Sequence, residues 1–151
     1  MLQQKSNAFE ILKSNQGMSL IEILIALTLL GISGAFVASN VYDRLQEGKV
    51  ESAKIQIQRL GDVLKDYRRK CNTYPTTEQG LDALLEKPTT GTECRNYPPN
   101  GFLEDKRIPT DPWDMEYYYE SDGRTYTIIS YGSDNLEGGE GYDADISNND
   151  L

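Results

Sequence analysis

Apolar and polar positions divide this chain into three stretches. Residues 1–17 are polar and include Lys5, Glu10 and Lys13. An apolar run follows, and from Ile23 to Tyr42 no residue is charged. A helix of that length rises about 30 Å, enough to cross the hydrocarbon core of a bilayer. Past Tyr42 the chain turns polar without any proline or turn cluster. Ala53, Ile57, Leu60, Leu64 and Tyr67 then recur at steps of four and three, the period of one helix face. The charges Asp43, Arg44, Glu47, Lys49, Lys54, Arg59 and Asp62 fall mostly off that stripe. The pattern predicts a single helix from about Ser19 to about Arg69, roughly 75 Å long at the usual rise. Its first half is apolar all round and needs lipid or other helices. Its second half needs a small domain on one face.

Beyond residue 70 the period changes. Tyr74–Leu85 reads as a turn and then a short helix, with Thr76 or Thr77 as cap and Glu78 or Gln79 reaching back. Pro88 to Pro99 reads as loop. Tyr117–Glu120 and Thr125–Ser130 are rich in aromatic and β-branched residues and predict two strands. Ser121-Asp122-Gly123-Arg124 supplies the hairpin turn between them. The predicted class is therefore α+β: a long N-terminal helix packed on a small antiparallel sheet, followed by an acidic C-terminal loop. Tyr97, Trp113 and Tyr117–Tyr119 read as packing residues of a small core.

Composition narrows the chemistry. The chain has 151 residues, a net charge of −9 and no histidine. One domain is the expectation for that length. No basic surplus is present to bind nucleic acid. Without histidine, Ser–His and Cys–His catalysis are excluded. Carboxylate chemistry of the glycosidase kind needs two acids flanking a cleft. Here the acids instead crowd one glycine-rich loop, so no enzyme is expected.

Glu22 is the anomaly of the apolar run. A carboxylate there is costly unless it stays at the wet interface or finds a partner. A secretory signal would be cut after its apolar segment. Here the polar leader precedes the run and ends at Gly17. A cut between Gly17 and Met18 would leave the apolar helix on the mature chain. It would also create a free amine at Met18, the partner that Glu22 of a neighbouring subunit needs.

Gly17-Met18-Ser19-Leu20-Ile21-Glu22 resembles the processing signal of type IV prepilins and pseudopilins. In that family a prepilin peptidase cuts after the glycine and methylates the new N-terminus, and the fifth mature residue is a glutamate that guides assembly. Met18 stands where Phe is usual, and Ser39 where Pro is common. Without that proline the helix has no built-in break. Three further blocks resemble the major pseudopilins of type II secretion: Tyr74-Pro-Thr-Thr-Glu-Gln-Gly-Leu81, Arg95-Asn96-Tyr97-Pro98 and Asp111-Pro112-Trp113. Tyr131-Gly132-Ser133-Asp134 and Ala144-Asp145-Ile146 resemble that family's calcium loop. The resemblance spans residues 17–148. It implies a leader at 1–17, a transmembrane and assembly helix at 18–42 and a periplasmic domain at 43–151.

The resemblance also implies a function: the structural subunit of a filament that pushes folded proteins through an outer-membrane secretin. The implied partners are copies of itself, prepilin peptidase, minor pseudopilins, the inner-membrane assembly platform and the membrane. A type IV or competence pilin is the alternative.

Two features change meaning under this reading. Residues 134–150 carry Asp134, Glu137, Glu140, Asp143, Asp145 and Asp150 with no basic residue. By composition alone they form a solvated acidic tail. The resemblance implies one structural Ca2+ held by Asp134, Asp143, Asp145 and the Tyr131 carbonyl, with a further carbonyl near Gly141 or Tyr142. Ser147-Asn148-Asn149 stands where Gly-Asn-Trp is common, which leaves the loop's closing contact open. Cys71 and Cys94 are either two thiols or one disulfide. A periplasmic location favours the bond.

Overall fold

The structure is a computed structural model that describes residues 19–151. Gly17 and Met18, the expected processing pair, lie outside the described residues. The chain divides into two compact units between Val41 and Tyr42.

One α-helix, α1, runs without a break from Leu20 to Cys71. Its part within the first unit exposes its large apolar side chains, among them Leu20, Leu24, Leu27, Leu30 and Phe36. That stretch is long and apolar enough to cross a membrane. Thr28, Ser33 and Asn40 are satisfied within the helix itself. Thr28 Oγ1 donates to the Leu24 carbonyl at 2.7 Å, Ser33 Oγ to Leu29 at 2.8 Å and Asn40 Nδ2 to Phe36 at 2.8 Å. Each is a back-bond to the preceding turn, the usual way a short polar side chain is tolerated in an apolar helix.

The second unit is built around the remainder of α1. Ala53, Ile57, Leu60, Leu64 and Tyr67 are at most 2 % exposed and form one wall of the core. Leu81, Leu84, Tyr117, Tyr119, Ile128 and Ile146 close the other side. The helix ends because Asn72 takes a left-handed conformation (φ 63°), one of the few non-glycine residues that does so readily. Its N–H bonds the Arg68 carbonyl at 2.8 Å.

The segment after the helix is tighter than the sequence predicts. Gln79 does reach back, its Oε1 accepting the Thr76 N–H at 3.0 Å. The helical part is only a 3-10 turn at Leu81–Leu84, entered through Gly80 without a side-chain cap. Thr77 serves the sheet instead, its hydroxyl accepting from Ser121 N–H at 2.8 Å and donating to the Ser121 carbonyl at 3.1 Å.

Strands β1 (Tyr118–Ser121) and β2 (Tyr126–Ser130) pair antiparallel, with Tyr118 opposite Ile129 and Ser121 opposite Tyr126. Asp122 shapes the turn between them. Its Oδ1 accepts the N–H groups of Arg124 and Thr125, both at 2.8 Å. Alternation along β1 sends Tyr119 into the core and leaves Tyr118 at the surface. A third strand, β3 (Ile146–Ser147), pairs antiparallel on the far side of β2. Two residues are too few to leave a period-two signal, so the sequence does not announce it.

Candidate functional site

Three places carry the residues that the sequence singles out. The first is Glu22 on the exposed apolar part of α1. Its N–H bonds the Ser19 carbonyl at 2.9 Å within the first turn. Among the described residues its carboxylate has no ion-pair partner. It therefore differs from Thr28, Ser33 and Asn40, whose donors are all returned to the helix.

The second place is the acidic loop. It leaves β2 at Ser130, passes through one 3-10 turn at Gly141–Asp143 and re-enters the sheet at Ile146. Ser133 N–H bonds the Tyr142 carbonyl at 3.0 Å, drawing the two limbs together. Gly132 makes this approach possible. It has φ 69°, and a Cβ there would lie 2.8 Å from the Tyr142 carbonyl oxygen. Gly139 is under the same constraint, with φ 85° and the Asp143 carbonyl at 2.3 Å from any added Cβ.

The three aspartates expected to bind a cation all take part in this folding. Asp134 accepts the Leu136 N–H at 3.0 Å. Asp143 accepts the Ser133 hydroxyl. Both oxygens of Asp145 accept the Gly138 N–H at 3.1 Å. Among the described residues no three acids converge into a ready ligand set. The donor chemistry nonetheless suits a hard cation, because the loop offers oxygen ligands and no lysine, arginine or histidine. The loop's closing contact is made by Asn148. Its side-chain oxygen accepts the Ile128 N–H at 2.6 Å and its amide donates to the Tyr126 carbonyl at 3.4 Å. It thereby extends the β3 ladder with a side chain.

The third place is the brace between loop and helix. Asp111 is 3 % exposed and has no cationic partner among the described residues. Its carboxylate instead accepts Trp113 N–H at 3.0 Å, Met115 N–H at 2.9 Å and the Ser130 hydroxyl at 2.6 Å. Neutral donors arranged this way can hold a buried carboxylate. The indole N–H of Trp113 then donates to Gln46 Oε1 on α1 at 3.0 Å. Sequence reading noted Asp111 and Trp113 as a motif but missed that Asp111 ties the motif to β2 and that Gln46 receives it. Buried Gln46 sits in a helix segment that looks polar and exposed, and nothing local marks it.

Cys71 and Cys94 are joined by a disulfide across 23 residues of sequence. It pins the loop before Arg95 to the last residue of α1. Tyr97 and Phe102 pack on Tyr67 just beyond it, with ring centroids 6.4 and 5.1 Å away. Burial raises the Tyr97 phenol to about 12 and the Tyr119 phenol also to about 12.

The comparisons with known proteins converge. Residues 40–149 match the family described as type II secretion system (T2SS), protein G. Residues 12–38 match the prokaryotic N-terminal methylation motif. The chain is 38 % identical over 139 residues to type II secretion system core protein G of Vibrio cholerae serotype O1, covering 91 % of this chain and 93 % of that one. It is 32 % identical over 135 residues to the protein of the same name from Escherichia coli K12, covering 88 % and 90 %. It also resembles the crystal structure of the major pseudopilin from the type 2 secretion system of enterohaemorrhagic Escherichia coli. That likeness has a TM-score of 0.62 and 34 % identity, over 74 % of this chain and 96 % of the other.

Proposed function

The chain belongs to the type II secretion system protein G family, the major pseudopilins, and on that footing we propose how its residues build a filament. The family is one of structural subunits, and this chain is such a subunit. The match over residues 40–149 lies beyond the N-terminal segment that all type IV pilins share. It therefore favours secretion over a type IV or competence pilus.

In the proposed sequence of events, prepilin peptidase cuts between Gly17 and Met18 and methylates the new amine. The apolar part of α1 holds the subunit in the inner membrane with residues 43–151 in the periplasm. The assembly platform and minor pseudopilins then start a helical stack, which drives folded proteins toward the outer-membrane secretin. Glu22 carries this reading. It is the one acid on an apolar helix face whose described polar neighbours are already satisfied. A neighbour's Met18 amine would neutralise it in a setting where Coulomb attraction is strong and an unpaired charge is costly. Subunits would thus add in one axial register. Glu22→Ala should be processed normally and should give few or no filaments when overexpressed. Normal filament yield from that variant would remove the register role.

We further propose that one Ca2+ occupies the acidic loop as a structural ion. Asp134, Asp143, Asp145 and the Tyr131 carbonyl would hold it, with a carbonyl near Gly141 or Tyr142. The ion would supply charge neutralisation only. The loop's own residues provide the fold that receives it, through the close limbs at Gly132 and the Asn148 closure. Excess chelator should lower the melting temperature of the domain. An unchanged transition would refute the site.

A further inference from the structure

The two oxygens of the Asp111 carboxylate serve different parts of the domain. Asp111 N–H bonds the Met115 carbonyl at 2.8 Å, and the Asp111 carbonyl accepts the Asp114 N–H at 3.0 Å. Oδ1 completes this turn by accepting Trp113 N–H at 3.0 Å and Met115 N–H at 2.9 Å. Oδ2 is directed elsewhere. It reaches across 19 residues of sequence to accept the Ser130 hydroxyl at 2.6 Å. Both partners are buried, Asp111 to 3 % exposure and Ser130 to 1 %. Closing the turn needs one oxygen, which a side-chain amide would supply as well. A buried carboxylate without a cation costs more than an amide would. The second oxygen is the reason for a carboxylate, and it serves Ser130.

Ser130 stands at the root of the acidic loop. It is the last residue of β2 and pairs with Ile146, the first residue of β3. Both limbs of the loop therefore leave from one rung of the sheet. Tyr131 follows Ser130 on one limb, and Asp145 precedes Ile146 on the other. These two residues supply a carbonyl and a carboxylate of the expected calcium set. With its proton given to Asp111, the Ser130 hydroxyl turns its oxygen to the Gly132 N–H at 3.4 Å. Gly132 is where the limbs come close, with φ 69°. A hydroxyl held this way sets the direction in which Tyr131 and Gly132 leave the sheet. Groups directly behind metal ligands orient them, and losing one weakens affinity about 10- to 100-fold.

We infer that Asp111 is a positioning residue for the loop's Ca2+, acting through Ser130 on the Tyr131 carbonyl without touching the ion. This rests on the calcium reading above. The two ends of the buried brace then have separate roles. The Asp111–Ser130 bond aims the loop. The bond from the Trp113 indole to Gln46, at 3.0 Å, fastens the 111–115 turn to α1. Loss of the first changes the affinity for Ca2+, and loss of the second changes only the stability of the domain.

The test is calorimetric titration of Ca2+ into the detergent-solubilised full chain, paired with melting in excess chelator. Ser130→Ala removes one buried oxygen and should weaken Ca2+ binding about tenfold. Asp111→Asn keeps an oxygen for the turn but sets a donor where Oδ2 accepted, and should weaken binding by about the same factor. Because the two residues act as one unit, the double variant should lie within about twofold of the weaker single one. Gln46→Ala should lower the melting temperature in chelator yet leave Ca2+ affinity within about twofold of the starting protein. Unchanged affinity in Ser130→Ala would overturn the inference. A double variant weakened about a hundredfold would also overturn it, because the two effects would then be independent. Equal weakening in Gln46→Ala would do the same, by assigning the loss to general loosening of the domain. Should Asp111→Asn fail to fold, Ser130→Ala set against Gln46→Ala still decides. A starting protein that takes up no Ca2+ would remove the calcium reading and this inference together. A starting protein that binds Ca2+ no better than any of these variants would remove this inference and leave the calcium reading standing.

Discussion

The two halves of α1 meet their physical requirements in opposite ways. Between Leu20 and Val41 the helix returns the donors of Thr28, Ser33 and Asn40 to its own carbonyls and leaves its large apolar side chains exposed. Between Ala53 and Tyr67 it buries an apolar stripe and leaves its charges exposed. The first half therefore depends on something outside the chain, lipid or neighbouring stems. The second half is complete within residues 42–151, with its own core, sheet, disulfide and braces. The lesson is that one continuous helix carries an assembly code in one half and a folding code in the other. Substitutions in the two halves should then be read out by different measurements.

The sharpest way to break this contrast is a matched pair of truncations. Leu64→Ala removes a fully buried side chain and should cost the domain about 3 kcal/mol. Leu27→Ala removes one that is 60 % exposed and should leave the domain's melting within about 0.5 kcal/mol of the starting protein. It should instead weaken assembly. Calorimetry on the detergent-solubilised full chain would decide. A large loss of domain stability from the stem variant would end the separation.

The contrast also marks what a single sequence reveals. The stripe at Ala53–Tyr67 was legible because its period is helical and every member proved buried. Strands β1 and β2 were legible from their composition and the Asp122-Gly123 turn. Other features had no local signature. Strand β3 is two residues long, and Asn148 completes its ladder with a side chain rather than with backbone. Asp111 gathers donors from Trp113, Met115 and Ser130, and Gln46 receives Trp113 across 67 positions of sequence. Such links depend on tertiary neighbours that no periodicity encodes. Cys71 and Cys94 were visible as a pair, but only the fold brings them to bonding distance.

A smaller effect, of pH, should also fall on one half only. Burial raises the phenols of Tyr97 and Tyr119 from the ordinary value of 10.0 to about 12, and burial also raises Tyr117. The Tyr119 hydroxyl donates to the Pro75 carbonyl at 2.8 Å, which requires the neutral form. Above the unfolded value the unfolded chain has released these protons while the folded chain still holds them. Stability is therefore full below about pH 10 and falls as the pH rises through about 12. For Tyr119 the loss amounts to about 2 kcal/mol. No tyrosine lies between residues 19 and 41, so the helix signal of the stem in micelles should hold while tyrosinate absorbance and domain melting change together. Tyr119→Phe should flatten the alkaline loss, at the cost of one buried hydrogen bond at neutral pH. An alkaline transition unaltered in that variant would assign it to other groups.

The smallest contrast lies between two glycines of the same helix. Gly31 has nothing within 4 Å of an added Cβ, whereas at Gly61 the Tyr126 hydroxyl would be 2.8 Å away. Replacing glycine with alanine in a helix interior favours the helix by about 1 kcal/mol. At Gly31 that gain is unopposed, and the stem should become more helical in micelles with no change in domain melting. At Gly61 the gain is offset, because Tyr126 must back away while its ring stays packed on Tyr74, 4.8 Å between centroids. Gly61→Ala should thus leave domain stability nearly unchanged, within about 0.5 kcal/mol. Removing the obstructing oxygen exposes the hidden term. In a Tyr126→Phe background the same Gly61→Ala change should stabilise the domain by about 1 kcal/mol. If Gly61→Ala gave the same shift in both backgrounds, the close approach of Tyr126 would not be what keeps glycine at this turn. The packing of this half would then tolerate a side chain as freely as the stem does.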